Sequence, residues 1–164
     1  MIPFPYLLYL GASTDKLAVK TARGVAYWRP GLCVGQRRTA PEAESLNLED
    51  LTYERAVARG AKTMLIGVAN RGGVMTTQDE AEVIHALTAG LNVASGLHQR
   101  LRDRSAIAEA ARRVGRQLFD VRDAPSDLPV GNGQRRAGLR LLTGGSDCSV
   151  GKMYTSLALE REIK

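Results

Sequence analysis

Residues 144–152, with the sequence GGSDCSVGK, have the composition of a loop that binds phosphate groups. They join the apolar run LRLLT to the apolar-periodic run MYTSLAL. Glycines at both ends allow backbone N–H groups to point at one anion, the following helix presents its N-terminus, and the Lys152 ammonium neutralises charge. The sequence therefore predicts a site for the phosphates of a nucleotide or coenzyme, formed by Gly145, Ser146, Cys148, Ser149, Val150, Gly151, Lys152 and Met153.

Two side chains of this loop have chemistry beyond phosphate binding. Asp147 is predicted to be catalytic, as a base that deprotonates an amine, and the competing interpretation is a carboxylate that bonds to the backbone of its own loop. The thiol of Cys148 is able to carry an acyl group, although a small buried thiol is the more common fate of a cysteine.

The loop departs from the standard phosphate-binding pattern at two positions. Counting back from Gly151, the first loop glycine belongs at position 146, which is Ser146, so that Gly145 makes the loop one residue longer. The position after Lys152, normally the Ser or Thr that binds magnesium, is Met153. These departures leave phosphate binding as the prediction and make magnesium-assisted ATP hydrolysis the less favoured alternative.

Polar residues also follow two of the predicted strands. Asn70, Arg71 and Gly72 come directly after the apolar run 63–69, at the end of a parallel strand where open α/β sheets bind ligands. We expect them to bind the substrate, with the Arg71 guanidinium on a carboxylate, unless the segment is an ordinary solvated turn. His98 follows the run 92–95 and is predicted to be a general base, with a structural or solvated histidine as the alternative.

The elements that must position these residues alternate between short apolar runs and longer amphipathic ones. Strands are predicted at 6–11, 32–36, 63–69, 92–95 and 118–121, and helices at 15–25, 52–59, 77–91 and 105–116. This alternation indicates an α/β fold with a doubly wound, Rossmann-like parallel sheet. The turn at 11–15 lacks the GxGxxG pattern, so NAD binding there has little support.

Helix ends and domain limits follow from local sequence. Thr77 with Glu80 predicts a capping box, Ser105 predicts an N-cap, and Gly115 marks the end of a helix. Residues 124–136 contain prolines, glycines and polar residues without periodicity, which indicates a linker. We therefore expect a Rossmann-like domain at 1–123 and, at 137–164, only the first β-loop-α unit of an incomplete P-loop NTPase-like domain. Its strand is predicted at 137–143 and its helix from about residue 151 to the end of the chain.

Composition excludes several classes of protein. The chain of 164 residues is 44% hydrophobic and 24% charged, as in an average globular protein. Its apolar N-terminal run is too short to span a bilayer and has no basic leader, so a cytoplasmic protein is predicted. Two cysteines in unrelated segments predict neither a disulfide framework nor a metal site. The net charge of +6 is spread without interleaved aromatics, and nucleic-acid binding is therefore not expected.

The segment TGGSDCSVGKMYTSLALERE, together with GVANRGG at 67–73 and ASGLH at 94–98, resembles a bacterial family with a Rossmann-like N-terminal and a P-loop C-terminal domain. Within it the likeness is to the D-glutamate N-acetyltransferases of the DgcN type. The long loop is also similar to that of dethiobiotin synthetase, which has Thr where this chain has Met153. The resemblance covers nearly the whole chain, and members of this family are about twice as long, as two domains require.

The resemblance implies transfer of acetyl from acetyl-CoA to the amino group of D-glutamate. In that hypothesis the loop holds coenzyme phosphates, Arg71 holds a carboxylate, and Asp147 or His98 is the base. The alternatives are an ATP-dependent ligase or kinase and a non-enzymatic nucleotide-binding module. The expected partners are small-molecule substrates and further copies of the chain in a homo-oligomer, with neither a membrane nor a nucleic acid among them.

Overall fold

The computed structural model describes residues 1–69, 74–123, 127–135, 137–147 and 150–164. The chain divides into two units, Met1–Ala124 and Pro125–Lys164. The predicted substrate residues Asn70, Arg71 and Gly72 lie outside the described residues, as do the loop residues Cys148 and Ser149.

In the described part of Met1–Ala124, parallel strands form one five-stranded sheet in the order β2-β1-β3-β4-β5. Runs such as YLLYLG and TMLI are apolar throughout, as strands covered on both faces require. The predicted α/β, Rossmann-like parallel sheet is confirmed. The strands are β1 (Tyr6–Gly11), β2 (Cys33–Arg38), β3 (Thr63–Ile66), β4 (Asn92–Ser95) and β5 (Leu118–Asp120).

Helices connect successive strands, so the unit is a series of βαβ crossovers. They are α1 (Lys20–Trp28), α2 (Tyr53–Ala58), α3 (Thr77–Thr88) and α4 (Ser105–Val114), with short 3-10 turns at Pro30–Leu32 and Leu101–Asp103. The predicted start of the first helix at residue 15 is wrong. The Asp15 carboxylate accepts a hydrogen bond of 2.8 Å from the Leu17 backbone N–H, and such local bonds compete with helix formation.

The helix ends correct two further predictions. The capping box lies one residue earlier than expected: Thr76 Oγ1 accepts from the Asp79 N–H, and Asp79 Oδ2 accepts from the Thr76 N–H, each at 3.1 Å. The predicted N-cap Ser105 is already helical, and Arg104 precedes it without a side-chain cap. Gly115 ends α4 as predicted, with a φ of 64° that glycine adopts without strain.

The strand order has a reversal between β1 and β3. The chain leaves β1 toward β2 on one side, whereas β3 and the later strands lie on the other. Right-handed crossovers then send the connections after β1 and β3 to opposite faces, which opens a crevice at the carboxyl ends of these two strands. Gly67, just after β3, packs against α1 so closely that a Cβ built on it would lie 2.2 Å from the Cβ of Ala22.

The second unit contains one described helix, α5 (Lys152–Ile163), which begins where the sequence predicts it. The strand predicted at 137–143 is absent, because none of these described residues is in a strand or helix. Leu139, Leu141 and Leu142 are exposed rather than buried in a sheet. A strand needs a neighbour to satisfy its backbone groups, and the described part of this unit contains no strand to pair with it.

We expect the two units to differ in hydrogen exchange. Helix α5 has no buried residue, and a helix of 12 residues is marginal in water without tertiary packing. Its backbone amides should therefore exchange at least about 100-fold faster than those of β1 and β3, whose side chains are buried. Amide exchange followed by mass spectrometry on the 164-residue chain measures this difference. Equal protection of both units would contradict it.

Candidate functional site

The predicted phosphate-binding loop leads directly into α5. Gly151 precedes the helix with a φ of 92°, which favours glycine. The two ends of the loop are in contact, because a Cβ built on Gly145 would lie 2.5 Å from Val150 Cγ2 and 3.2 Å from Lys152 Cγ. A side chain at position 145 would therefore displace the side chains of Val150 and Lys152.

The side chain of Lys152 lies across this loop. Its ammonium donates a hydrogen bond to the backbone carbonyl oxygen of Asp147. The loop is also tied to α5 through Thr143, whose hydroxyl donates to the carbonyl oxygen of Lys152 at 3.1 Å and lies 2.7 Å from the hydroxyl of Ser156. The ammonium of Lys152 therefore lies over a tight loop at the N-terminus of a 12-residue helix. This combination of a cation and a helix N-terminus favours the binding of an anion.

The remaining described loop residues are open to solvent. Ser146, Asp147, Val150 and Met153 are all exposed. The Thr155 hydroxyl, the nearest candidate to replace the missing magnesium ligand, donates to the carbonyl oxygen of Gly151 at 3.1 Å. Among the described residues there is also no group of three or more metal-ligating side chains. The role of the loop in phosphate binding stays a prediction.

The predicted catalytic residues lie in different units. His98 is exposed in the turn that follows β4 in Met1–Ala124, whereas Asp147 belongs to Pro125–Lys164. Neither unit by itself brings the two together, and a catalytic role for either residue also stays a prediction.

A cavity of about 270 Å³ opens at the carboxyl ends of β1, β2 and β3. It lies at the reversal of strand order, where open α/β sheets generally bind ligands. Val68 and Thr76, which border the cavity, flank the undescribed residues 70–73 in sequence. The lining residues come from the turns after the strands and from the start of α3: Gly11, Ala12, Ser13, Thr39, Val68, Thr76, Gln78 and Asp79.

A buried tyrosine fixes the acidic side of this cavity. The Tyr9 hydroxyl, on a fully buried residue of β1, donates to Asp79 Oδ1 at 2.8 Å. Burial, with a contribution from the Asp79 carboxylate, raises the pKa of Tyr9 above its ordinary value, so the hydroxyl stays protonated and remains a donor. The other oxygen, Oδ2, accepts from the N–H of Thr76 at 3.1 Å and from its hydroxyl at 2.7 Å.

A second tyrosine holds α3 one turn further along. The Tyr53 hydroxyl donates to Glu82 Oε2 at 2.5 Å, and Arg37 Nε donates to the same oxygen at 3.4 Å. The Arg37 guanidinium also lies 5.2 Å from the centre of the Tyr53 ring, within cation–π range. Tyr9 and Thr76 thus hold the side chain of Asp79, and the bonds of Glu82 hold the next turn of α3.

Sequence reasoning missed this cavity. Its residues come from four separate segments, each of which looks like an ordinary turn or helix start. The sequence did contain one signal, which is position along the chain: Gly11 and Val68 lie at the ends of two predicted strands, and Ala12 and Ser13 directly follow the first of them. The carboxyl ends of parallel strands share one edge of a sheet.

Comparison with known proteins places the chain in a family. A model of a Rossmann-like domain of unknown function, DUF1611_N, matches residues 31–124, more than half of the chain. The chain belongs to the DUF1611_N family. A solved DUF1611-family protein from Anabaena variabilis has the same fold, with a TM-score of 0.63 and 22% identity over 80% of this chain and 40% of that one.

Two curated relatives of this DUF1611_N chain carry a name that matches the resemblance seen in the sequence. A protein named D-glutamate N-acetyltransferase from Tritonibacter scottomollicae is 46% identical over all of this chain and 49% of its own length. One of the same name from a Pseudoalteromonas species is 41% identical over 98% of this chain and 48% of its own length. The chain thus spans about half the length of these relatives. None of its described helices combines the length and hydrophobicity of a membrane span.

Proposed function

We propose that this chain is one half of an N-acetyltransferase that moves acetyl from acetyl-CoA to the amino group of D-glutamate or a similar D-amino acid. The observation that carries the proposal is the 46% identity, over every residue of the chain, with a relative of that name. The aligned region covers both units of the chain.

The chemistry needs three tasks, and the chain offers a candidate for each. The loop of residues 144–152, with Lys152 across it, would hold phosphates of the coenzyme. Arg71 would hold a carboxylate of the amino acid, and Asp147 or His98 would accept the proton that the ammonium group loses. The freed amine nitrogen attacks the thioester carbonyl carbon and the C–S bond breaks. The departing thiolate takes up the second proton that the nitrogen loses as the amide forms.

The residues that follow the loop lysine make an ATP-dependent ligase or kinase the less favoured alternative. That chemistry needs a hydroxyl ligand for magnesium after the loop lysine, and Met153 cannot provide one. Thr155 does not take over this role in the structure, because its hydroxyl bonds to the helix backbone. Acetyl transfer does not need a metal ligand at this position, because the phosphates of acetyl-CoA do not react.

The proposal is tested in a chimaera in which this chain replaces the matching half of the Tritonibacter scottomollicae relative. We expect the chimaera to release coenzyme A in the presence of D-glutamate and to form N-acetyl-D-glutamate, detected by mass spectrometry. L-Glutamate is the stereochemical control, and the 164-residue chain without the second half is the background. A folded chimaera that binds acetyl-CoA and D-glutamate but forms no product would refute the proposal.

A further inference from the structure

The cavity at the carboxyl ends of β1 and β3 has no role in the chemistry assigned so far. We propose that it binds the ammonium group of a small amino acid on the carboxylate of Asp79. The choice of D-glutamate as that amino acid rests on the proposed function, whereas the preference for a primary amine rests on the geometry of the cavity.

The volume of the cavity limits the ligand. At about 270 Å³ it lies just below the usual range of small-molecule sites, roughly 300 to 1,000 Å³. A small amino acid fits into such a space, whereas a complete coenzyme or dinucleotide would have to extend beyond it.

The charge of the cavity lining indicates which chemical group of a ligand would bind there. Among the described lining residues, Asp79 is the only ionisable one, and the other polar side chains are the neutral Ser13, Thr39, Thr76 and Gln78. A described lining whose one charge is negative favours a cation and disfavours a lone phosphate or carboxylate. A zwitterion satisfies this lining, because its ammonium pairs with Asp79 while its carboxylates accept hydrogen bonds from neutral donors.

Asp79 has acceptor capacity left for such an ammonium. An ionised carboxylate offers about four acceptor positions. Two on Oδ2 are used by the N–H and hydroxyl of Thr76, and one on Oδ1 by Tyr9. With respect to the described residues, the position that remains is therefore on Oδ1, the oxygen that Tyr9 holds in place.

This oxygen borders the open space at Gly11. A Cβ built on Gly11 would lie 3.5 Å from Asp79 Oδ1, so the missing side chain leaves a ligand atom room to approach. Gly11 also has a φ of 60°, a conformation that favours glycine at this turn. The hydroxyl of Thr39 makes no hydrogen bond within the described part of the chain and is a donor for a ligand carboxylate.

The test compares D-glutamate with glutarate, which has the same two carboxylates and no amine. Both are titrated into the 164-residue chain and followed by calorimetry and by amide chemical shifts. We expect D-glutamate to bind at least 10-fold more tightly, with the largest shifts at Gly11, Ala12, Ser13 and Gln78. Equal affinity for the two acids, no binding of D-glutamate, or shifts confined to other residues would overturn the proposal.

Two matched variants of α3 test whether the carboxylate of Asp79 itself causes the preference for D-glutamate. Asp79→Asn removes the charge from the cavity and should reduce the preference for D-glutamate over glutarate to about 1-fold. Glu80→Gln removes the same charge from the next residue, which is paired with Arg104 outside the cavity lining, and should leave the preference unchanged. Equal effects of the two variants would show a general charge effect and overturn the proposal. If the Asp79→Asn variant is unstable, the comparison of D-glutamate with glutarate still tests the proposal, because it uses the unmodified chain.

The chimaera separates this proposal from the proposed function. If it acetylates D-glutamate with a KM that Asp79→Asn leaves unchanged, the cavity is not the amine site although the activity stands. If D-glutamate binds in the cavity and the chimaera forms no acetylated product, the proposed function fails and the amine site stands.

Discussion

Gly67→Ala is expected to lower the free energy of unfolding of Met1–Ala124 by about 3 kcal/mol, at the upper end of the usual cost of overpacking. The new methyl group would lie 2.2 Å from the Cβ of Ala22 and 3.0 Å from its Cα, so helix α1 must move away from the end of β3. Urea unfolding followed by circular dichroism and by the fluorescence of Trp28, the single tryptophan, measures the loss.

A control variant and a compensating variant show whether the contact with Ala22 causes the loss of stability. Gly31→Ala adds the same methyl group where no atom lies within 4 Å, and should change stability by less than about 0.5 kcal/mol. Ala22→Gly costs about 1 kcal/mol alone through helix propensity, yet should recover part of the loss when combined with Gly67→Ala. If the two losses simply add, contact between these residues is not what Gly67 is needed for.

The strands were the most predictable part of the fold. A strand covered on both faces of a parallel sheet must be apolar at successive positions, so TMLI and YLLYLG are recognisable without knowledge of their neighbours. The run LRLLT at 139–143 has the same character, and it forms no strand here. Apolar sequence gives a segment the capacity to be a strand, whereas the strand itself requires a partner that supplies backbone hydrogen bonds.

Side-chain pairing across the fold was the least predictable part. Periodicity indicates that Glu82 faces away from the apolar side of its helix, yet its carboxylate accepts hydrogen bonds from Tyr53 and Arg37 and is mostly buried. The predicted capping box used Thr77 and Glu80, whereas Asp79 closes the capping box in the structure, and its bond to Tyr9 joins positions 70 residues apart. Such contacts depend on the strand order, which local sequence does not encode, and the bond to Tyr9 positions the one acidic residue of the described cavity lining.

The loop of residues 144–152, in contrast, was predictable from local sequence. Its glycines and Lys152 lie within nine consecutive residues, so their spacing alone predicts a turn into a helix with a cation beside it. The structure places Lys152 across that turn, bonded to the carbonyl oxygen of Asp147. A phosphate bound there would compete with this carbonyl for the ammonium, and the stronger charge-assisted bond favours the phosphate.

Lys152→Ala in the chimaera is therefore expected to lower kcat/KM for acetyl-CoA about 100-fold, because a lost hydrogen bond between charged groups costs about 1.5 to 3 kcal/mol. Most of the effect should be in the KM for acetyl-CoA, with the KM for D-glutamate nearly unchanged, since the contact is to the part of the coenzyme that does not react. Steady-state kinetics with each substrate varied in turn separates the two.

A donor without nucleotide phosphates distinguishes phosphate binding from support of the loop. With S-acetylpantetheine, the chimaera and its Lys152→Ala variant should have similar kcat/KM, because the lysine then has no phosphate to contact. Lys164→Ala, which removes an exposed ammonium paired with Glu160 at the other end of the same helix, should behave as the unmodified chimaera with both donors. An equal loss with both donors would mean that Lys152 maintains the loop through its bond to Asp147, and the coenzyme phosphates would then have to bind elsewhere.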